Sequence, residues 1–562
     1  MSAPIRPQTE HAAAAEMLDS PQHPLRTRAV VPAVMGAVAF VALLPMFHFG
    51  IASGHDFEFH VNSWMEVVRQ WRQGLLYPRW AEMANFGFGE PRFIFYPPAS
   101  WMLGGALGMI LPWKLVPGAY LWVVLTASGC SMFALASRYL APRDAIFASA
   151  FYVVNPYHLL VVYWRSAFAE LMAASWMPLL VLLVLQLRKG DNRSMLRLAA
   201  VMAAVWLTNL PAAVMATYSL VLMVGVLAYQ RRSLGLLLHG AMAGGFGILA
   251  TSFYLLPAAC ERRWVTIQQA LDPIVRPGNN FLFTLMNDVM HNRFNRLVSI
   301  IAVLEICVLI LAGWLLRRRQ ENGTEPRLLL IAWGTAATLL MLPITWALWQ
   351  YLPELRYVQL PWRWLLCLNV AIAMLLTFSV RQWLIRVLIY LMLVLAVIAV
   401  WRWVQPPWWD KAADLTKMLS DIEQERGYES VSEYMPLAAN LENAPEKPPR
   451  IMTEDEPTSM QVNQWKAEEK ILRVDAAKPS RLELRLFAYP AWQVEVNGRR
   501  IQYESDQDIG QVIVPVPKGE TQVRVFLTRT WDRTLGASIS AFMLGIACVL
   551  WFAGRPILSP AS

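Results

Sequence analysis

The stretch AVVPAVMGAVAFVALLPMFHFGIASGHDFEFH, residues 29–60, joins an apolar run to a short segment rich in titratable side chains. Residues 29–50 are long enough to cross a hydrocarbon layer of about 30 Å as an α-helix. The segment GHDFEFH (54–60) then brings two carboxylates, Asp56 and Glu58, and two imidazoles, His55 and His60, to the point where the chain leaves the apolar run. The stretch therefore predicts a membrane span that ends in a polar loop.

The composition extends this pattern to the whole chain. Of the 562 residues 56% are hydrophobic and only 16% are charged, whereas soluble proteins carry about 25% charged residues. Apolar runs of similar length recur, so the sequence predicts a polytopic α-helical membrane protein with about 12–14 spans in the lipid bilayer. The candidate spans are 29–50, 118–137, 144–163, 168–187, 194–209, 211–230, 236–256, 297–316, 328–347, 363–380, 384–403 and 534–553.

The net charge of +9 follows the membrane topology rather than a nucleic-acid partner. Basic clusters such as Arg231-Arg232 and Arg317-Arg318-Arg319 lie in short segments between apolar runs, and positive charge in short loops marks the cytoplasmic side. If residues 1–28 form a cytoplasmic tail, these clusters all fall on the inner face. The short apolar segment 99–112 does not fit this alternation, and we expect it to be re-entrant or paired with another short crossing.

The same topology leaves three regions outside, 51–98, 257–296 and 404–533. Residues 404–470 show no period and are expected to be irregular. Residues 471–533 alternate between apolar and polar, which predicts an antiparallel β-sandwich with a type I′ hairpin at Asn497-Gly498 and with Trp492 in its core. The chain would then consist of a multi-span domain (29–403), the irregular segment, an extracytoplasmic β-domain, and a last span that tethers it and ends in a cytoplasmic tail (534–562).

Charged and polar side chains at the outer ends of spans are the candidates for a site. Asp56 follows the first span, where a low dielectric suits a general base or a metal ligand. The motif YWRSAFAE places Arg165 and Glu170 at an outer turn, and RYVQLPWRW places Gln359 and Arg363 beside another. Charges at such depth tend to face a cavity or a partner, and arginine suits phosphate. Each is also typical of a boundary marker or an anchoring ion pair, so both interpretations stay open.

The ordered set of motifs resembles a known family. GHDFEFH, GLLYPRW, FGFGEP, FIFYPP, YWRSAFAE and QLPWRW occur in this order, followed by SEYMP and by FAYPAWQVEVNGRRI. Over nearly the whole chain they are similar to the bacterial integral-membrane proteins labelled 6-pyruvoyl-tetrahydropterin synthase related, which look like a branch of the GT-C superfamily of membrane glycosyltransferases. The resemblance implies a GT-C-like fold in the bacterial inner (plasma) membrane, with a cytoplasmic N-terminus and a periplasmic or extracellular β-domain.

The resemblance also implies a function in the cell envelope. GT-C enzymes take sugar from a polyprenyl-phosphate carrier, so we expect inverting transfer to an envelope glycan, lipid or protein acceptor at the outer face. By resemblance Asp56 is the catalytic acidic residue, which would act as the base. The substrate-binding candidates are His60, Arg165, Glu170, Gln359 and Arg363.

A divalent cation, Mg²⁺ or Mn²⁺, stays open as a cofactor. Asp56, Glu58 and His60 would supply part of its ligand set, although relatives often carry a small or apolar residue at the position of Glu58. Pterin chemistry is not expected, because the soluble pterin synthase has a three-histidine zinc site and the eight histidines of this chain are dispersed.

Two other classes of function stay open beside the enzyme. A non-catalytic GT-C-like scaffold would bind lipid or glycan through the β-domain. A transporter of lipid-linked intermediates would need polar residues near the middle of its spans, where Glu305 is the main candidate.

Overall fold

The computed structural model describes residues 24–318, 325–404, 406–445, 449–453 and 459–553. Within them a large helical bundle is followed by a β-domain and one last long helix. Residues 1–23 of the predicted cytoplasmic tail (1–28) lie outside the described residues. The rest of the predicted tail belongs to the first helix, which begins at Pro24. The predicted tail after the last span also lies outside the described residues from residue 554 onward.

The helices follow one another along the chain with short connections. The first part of the bundle contains α1 Pro24–Phe49, α2 Phe57–Arg72, α3 Arg92–Phe95, α4 Pro98–Ile110, α5 Val116–Ala136, α6 Pro142–Val153, α7 Pro156–Leu160, α8 Phe168–Ala174, α9 Met177–Leu185, α10 Asn192–Trp206 and α11 Leu210–Gln230. The remaining helices are α12 Gly235–Ala250, α13 Ser252–Glu261, α14 Val289–Arg318, α15 Glu325–Leu340, α16 Trp346–Tyr351, α17 Leu365–Ser379, α18 Trp383–Val404, α19 Ala412–Glu423 and α20 Trp531–Ala553.

The described residues form nine helical segments that are long and apolar enough to cross a membrane, or eleven spans when each of two bent pairs counts as one. One bent pair is Gly235–Ala250 with Ser252–Trp264, at 73°, and the other is Glu325–Leu340 with Pro343–Tyr351, at 89°. The polytopic helical class is therefore confirmed, with fewer spans than predicted. The predicted span 194–209 corresponds to α10, whose 15 residues cover about 22 Å and are too short to cross alone. Helix α4 in segment 99–112 is shorter still, with 13 residues.

Helix α2 of the first outer loop packs inside the protein. Its helical period places Val61, Trp64, Met65 and Val68 on one face, and each of these side chains is at most 2% exposed. Gly104 of α4 makes this close packing feasible, because a Cβ atom there would lie 2.2 Å from the Trp64 ring. The two short helices of the loop region thus form one layer on the end of the bundle.

The β-domain consists of two antiparallel sheets. Their strand orders are β3-β6-β10-β9 and β4-β5-β11-β7-β8. The strands are β3 Ile451–Thr453, β4 Ser459–Lys466, β5 Glu469–Ala476, β6 Ser480–Phe487, β7 Trp492–Val496, β8 Arg499–Ile501, β9 Glu504–Ser505, β10 Gln511–Val516 and β11 Gly519–Leu527. A separate pair, β1 Ile51–Ala52 with β2 Trp409–Asp410, joins the end of α1 to the chain after α18.

Two local expectations for this domain are confirmed. Trp492 is only 2% exposed and lies in the core that the sheets share. Asn497 and Gly498 connect β7 to β8 with φ angles of 50° and 76°, the left-handed backbone that a type I′ turn requires.

Residues 404–470 are more ordered than the sequence predicted. They contain α19, β2, β3 and β4, so the strands of the β-domain begin at residue 451 rather than at 471. Strand β3 has only three residues, too few to show a period. Strand β4 lies at the edge of its sheet with most of its side chains exposed or half-buried, so it lacks the half-buried alternation by which a strand is recognised.

The three regions predicted to lie outside meet at one end of the bundle. The Phe487 amide donates to the Phe88 carbonyl oxygen at 3.0 Å, which joins the β-domain to the first loop. The Thr266 amide donates to Met435 at 3.0 Å, which joins the second region to the third. These regions therefore form one continuous layer on a single side of the helices.

A buried ion pair ties the last helix to this layer. Arg533 at the start of α20 donates to both carboxylate oxygens of Glu261 at 2.7 and 2.8 Å, and the Tyr489 hydroxyl donates to Glu261 at 2.5 Å. Glu261 is fully buried and Arg533 is 5% exposed. Removal of one partner would leave the other as an uncompensated buried charge.

We expect Glu261→Gln to destabilise the protein by about 3–5 kcal/mol, the usual effect of breaking a buried ion pair. Thermal unfolding of the purified protein in detergent measures it. The matched control is Glu520→Gln, which breaks the exposed Arg473–Glu520 pair of the β-domain and should change stability little. Equal effects of the two variants would show that the Glu261 pair does not anchor the last helix.

A cluster of buried charged side chains lies where the first loop meets the β-domain. Glu66, Glu82 and Lys470 are each at most 2% exposed, and Glu66 accepts a hydrogen bond from the Met83 amide at 2.5 Å. Burial, together with the neighbouring Glu82 carboxylate, raises the pKa of Glu66 to about 7. Burial likewise lowers the pKa of Lys470 to about 8. Small pH changes near neutrality are therefore expected to change the net charge of this cluster.

The raised pKa of Glu66 predicts that stability falls as pH rises. Because the folded protein holds this proton more tightly than the unfolded chain, the stabilisation is complete below pH 4.5 and is lost as pH rises through about 7. Its full size is on the order of 3 kcal/mol. Thermal unfolding in detergent across this range should show the fall in wild type and in Glu58→Gln, which alters an exposed carboxylate of the same helix. Glu66→Gln should show a smaller fall, and an unchanged pH profile would contradict the assignment.

Candidate active site at one end of the bundle

The site begins with a close contact between two stretches of backbone. The Asp56 amide donates to the Arg165 carbonyl oxygen at 2.9 Å, and the His55 amide to that of Trp164 at 3.3 Å. The Gly54 amide donates to the Ser166 hydroxyl at 2.8 Å. A Cβ atom at Gly54 would lie 2.1 Å from the Trp164 oxygen. Only glycine fits there, so the segment after the first span lies directly on the turn between α7 and α8.

The chain of that turn is bent to meet this contact. Residues 161–165 form a single π-helical turn, and Ser166 ends it with φ 47° and ψ 34°. The left-handed conformation is uncommon for serine, and here its hydroxyl donates to the Ala52 carbonyl oxygen at 3.0 Å. The strained turn is thus held by the first loop itself and directs Arg165 toward Asp56.

Asp56 precedes α2 but does not cap it with its side chain. Its carboxylate instead accepts a hydrogen bond from Arg165 Nη2 at 2.7 Å, and its side chain stays 35% exposed, against 5% for that of Arg165. The carboxylate therefore lies in a recess, with protein around it and one side open. Burial is the largest single influence and would raise the pKa of Asp56, but Arg165, His60 and Arg363 together outweigh it, so the pKa lies below its usual value.

The ionic chain continues into the bundle through Glu170. Arg165 Nη1 lies 3.9 Å from Glu170 Oε2, and Arg363 Nε donates to the same oxygen at 3.1 Å. The Tyr157 hydroxyl donates to the other oxygen, Oε1. Glu170 is 1% exposed, so these partners satisfy a carboxylate that would otherwise be costly to bury.

Gln359 completes the chain and orients Arg363. Its amide oxygen accepts from Arg363 Nη1 at 2.9 Å, and its amide nitrogen donates to the Ala270 carbonyl oxygen at 2.7 Å. The structure thus brings Asp56, Arg165, Glu170, Gln359 and Arg363 into one network, although they come from three separate parts of the sequence.

His60 lies beside Asp56 within an aromatic cluster. Its ring is 5.3 Å from that of Phe168 and 5.8 Å from that of Tyr96. The side chain is 3% exposed, and burial lowers the pKa of His60 to about 4. A neutral imidazole is therefore expected at physiological pH.

The predicted metal site of Asp56, Glu58 and His60 is not formed. Asp56 and His60 are four residues apart at the start of a helix and share a side, whereas Glu58 is exposed on the other. Across the described ranges no group of three or more His, Cys, Asp or Glu side chains could hold a metal ion. The donor set does not fit Mg²⁺ or Mn²⁺, which require several oxygen ligands.

Two further side chains that were not predicted lie close enough to Asp56 for its charge to affect their pKa values. Tyr96 packs its ring 4.8 Å from that of Phe59. Glu433 lies in the motif SEYMP, held to the second outer region by the Thr266 amide. Burial, and to a lesser degree the charges of Glu90 and Asp56, raise the pKa of Glu433. The resemblance included this motif, but nothing in its spacing indicated that it faces Asp56.

Glu305, the candidate residue of the transporter hypothesis, is buried and hydrogen-bonded to groups of neighbouring helices. It is 1% exposed and accepts hydrogen bonds from Asn369 Nδ2 at 3.0 Å and from the Tyr157 amide at 3.3 Å. It therefore holds the start of α7, the helix that leads to Arg165.

The contact at Gly54 yields a direct test of this geometry. Gly54→Ala should push the first loop away from residues 164–166 and separate Asp56 from Arg165. We expect a clear fall in the unfolding temperature in detergent, because a Cβ atom at 2.1 Å from a backbone oxygen cannot be accommodated. Gly118→Ala is the control, since a Cβ atom there meets nothing within 4 Å. Wild-type stability of both variants would show that the two backbones are not in contact.

Comparisons with known proteins identify a family model that matches the chain and solved structures that are similar to it. The model of a family described as "6-pyruvoyl-tetrahydropterin synthase related domain; membrane protein" matches residues 93–406. Among solved structures, ArnT from Cupriavidus metallidurans bound to undecaprenyl phosphate matches with 13% identity and a TM-score of 0.37, over 65% of this chain and 63% of that chain. The apo oligosaccharyltransferase from Archaeoglobus fulgidus matches with 12% identity and a TM-score of 0.37, over 70% of this chain and 56% of that chain.

This chain thus spans less than two thirds of the length of either structure. The search of curated proteins found no match. The family match covers more than half of the sequence and confirms the resemblance that the ordered motifs gave: the chain belongs to the 6-pyruvoyl-tetrahydropterin synthase related family of membrane proteins.

Proposed function

We propose that this protein is a membrane glycosyltransferase that moves a sugar from a polyprenyl-phosphate carrier to an envelope acceptor at the outer face of the bacterial inner membrane. The observation that carries the proposal is the buried chain Asp56–Arg165–Glu170–Arg363, which ends in a half-open carboxylate at the outer end of the bundle. The carrier and the reaction class come from the resemblance of the sequence motifs to GT-C enzymes.

In the proposed reaction Asp56 is the base. An acceptor hydroxyl gives its proton to the Asp56 carboxylate while its oxygen bonds to the anomeric carbon of the sugar. The bond from that carbon to the phosphate oxygen breaks, and polyprenyl phosphate leaves from the opposite face. This single displacement inverts the configuration.

The arginines have the role of holding the phosphate. Arg165 Nη1 is buried and has no hydrogen-bond partner within the described residues, and a planar guanidinium suits phosphate oxygens. Both arginines are already paired with carboxylates, however, so phosphate must compete with Asp56 for Arg165 and with Glu170 for Arg363. Glu170 is the more deeply buried of the two acids. We therefore expect phosphate to displace Asp56 from Arg165 rather than Glu170 from Arg363.

The outer orientation is part of the proposal. The layer formed by the three outer regions lies on the side opposite to the basic clusters of the short loops, which the positive-inside rule assigns to the cytoplasm. The β-domain would then be periplasmic or extracellular, next to envelope acceptors. The scaffold hypothesis keeps the same orientation but needs no Asp56 chemistry.

Asp56→Asn separates these hypotheses. The variant frees Arg165, so we expect undecaprenyl phosphate to bind about ten-fold more tightly, the effect of one additional charge-assisted hydrogen bond. Transfer of label from an undecaprenyl-phosphate-linked sugar to acceptors in native membrane vesicles should fall by about 10²-fold or more, as on loss of a general base. Carrier binding is measured as the thermal stabilisation of purified protein.

Glu58→Gln is the matched control, because it neutralises an exposed carboxylate two residues away. It should leave both carrier binding and transfer at wild-type values. Wild-type function of Asp56→Asn in cells, with no response of the purified protein to undecaprenyl phosphate, would overturn the transferase and favour the scaffold.

A further inference from the structure

A cavity lined by arginines and by apolar side chains lies at the start of the last helix. It has a volume of about 140 Å³ and is enclosed by the first loop, α13 and the start of α20. Since one water molecule occupies about 30 Å³, the cavity has room for a group the size of several waters. Three arginines line it, Arg79, Arg529 and Arg533.

The three arginines differ in how far they are neutralised. Arg533 is fully paired with Glu261 through two hydrogen bonds. Arg79 has a longer contact, 3.4 Å from Nη1 to Glu468 Oε2. Arg529 is exposed and makes no ion pair or side-chain hydrogen bond within the part of the chain that the structure describes. The cavity therefore carries a cation that no carboxylate of the described chain compensates.

The rest of the lining is apolar or aromatic. Tyr77 packs its ring 6.0 Å from that of Phe253, and Phe93, Ile94 and Ala537 complete this side. Trp531, at the start of the last span, is 64% exposed, and tryptophan at the end of a span marks the membrane surface. The cavity thus combines cationic with apolar and aromatic side chains, for example Arg79, whose guanidinium lies 5.8 Å from the centre of the Tyr77 ring, and it lies near the level expected for lipid headgroups.

This cavity is separate from the Asp56 recess. Phe93 and Ile94 face the cavity, whereas Tyr96, two residues later, packs on Phe59 and His60 at the recess. The Tyr254 hydroxyl donates to the Phe95 carbonyl oxygen at 2.5 Å and fixes the chain between the two. The segment 93–96 therefore forms a wall with one site on each side.

We infer that the cavity binds a phosphate group, with Arg529 and Arg79 as donors, and that this phosphate belongs to the headgroup of an anionic membrane lipid. Arginine binds phosphate oxygens through paired N–H groups, and the apolar side chains of the lining would contact the start of the acyl chains. The inference does not depend on the proposed transferase activity.

The experiment uses the full-length protein in a non-ionic detergent with added phosphatidylglycerol. We expect phosphatidylglycerol to raise the unfolding temperature of wild type in a saturable way. Arg529→Gln should weaken this binding about ten-fold, the loss of one charge-assisted hydrogen bond. The matched control Arg499→Gln removes an exposed charge of the β7–β8 hairpin that makes no ion pair within the described ranges and does not line the cavity, and it should bind phosphatidylglycerol as wild type does.

Two further ligands identify the source of the phosphate. Stabilisation by inorganic phosphate that is lost in Arg529→Gln would assign the site to a free anion instead of a lipid. Equal stabilisation by dioleoylglycerol, which lacks phosphate, or equal affinities of Arg529→Gln and Arg499→Gln, would overturn the inference. Asp56→Asn should bind phosphatidylglycerol normally, so that failure of the transferase proposal is distinguishable from failure of this one.

Discussion

The contact of Gly54 with the backbone of Trp164 and Arg165 is the constraint on which the rest of the outer structure depends. Because no side chain fits between the two stretches, the first loop starts at a fixed height and angle above the bundle. Helix α2 follows at once, and Asp56 at its start is turned toward Arg165 rather than toward its own helix. A carboxylate beside a helix N-terminus is stabilised by the helix dipole, so the fold supports the ionised form of Asp56 from two sides.

From Asp56 and Arg165 buried polar groups extend into the bundle through Glu170 and Tyr157 to Glu305 and Asn369. A separate polar group surrounds Arg92, which donates to Glu90 at 2.8 Å and, in the segment before the β-domain, to Ser430 at 2.5 Å. A buried ion pair adds little net stability but is costly to break on one side only. The loops and the β-domain are therefore fixed to the bundle by specific partners rather than by apolar area alone.

The sequence predicted those parts of the structure that depend on composition and order. Apolar run length predicted the helical class, and the alternation after residue 471 together with Asn497-Gly498 predicted the later strands. The ordered motifs identified all the members of the ionic chain, although only folding shows that Arg165 joins Asp56 and that Arg363 joins Glu170.

What the sequence could not predict depends on long-range packing. Strand β4 lies at a sheet edge, so most of its side chains are at least partly exposed and it lacks the half-buried alternation by which a strand is recognised. Helix α10 is apolar enough to resemble a span, but its 15 residues are too few to cross a membrane. The three predicted metal donors do not converge within the described residues, because Asp56 and His60 lie on one side at the start of α2 and Glu58 lies on the other. Glu433 and the buried carboxylate of Glu66 in α2 were missed, since from sequence a polar loop residue that the rest of the chain covers looks the same as a solvated one.

The charge balance of the recess bears on how the proposed reaction would proceed. The resting network contains two guanidinium groups and two carboxylates and is neutral, which makes its burial tolerable. The donor brings one negative charge as a phosphodiester, and departure of the sugar adds a second to the phosphate. In the same step Asp56 accepts the acceptor proton and loses its own charge. Arg165, released by the neutral acid, can then pair with the phosphate. Negative charge thus moves from Asp56 to the leaving group past one fixed cation, and the buried site never holds more uncompensated charge than it held with the donor bound.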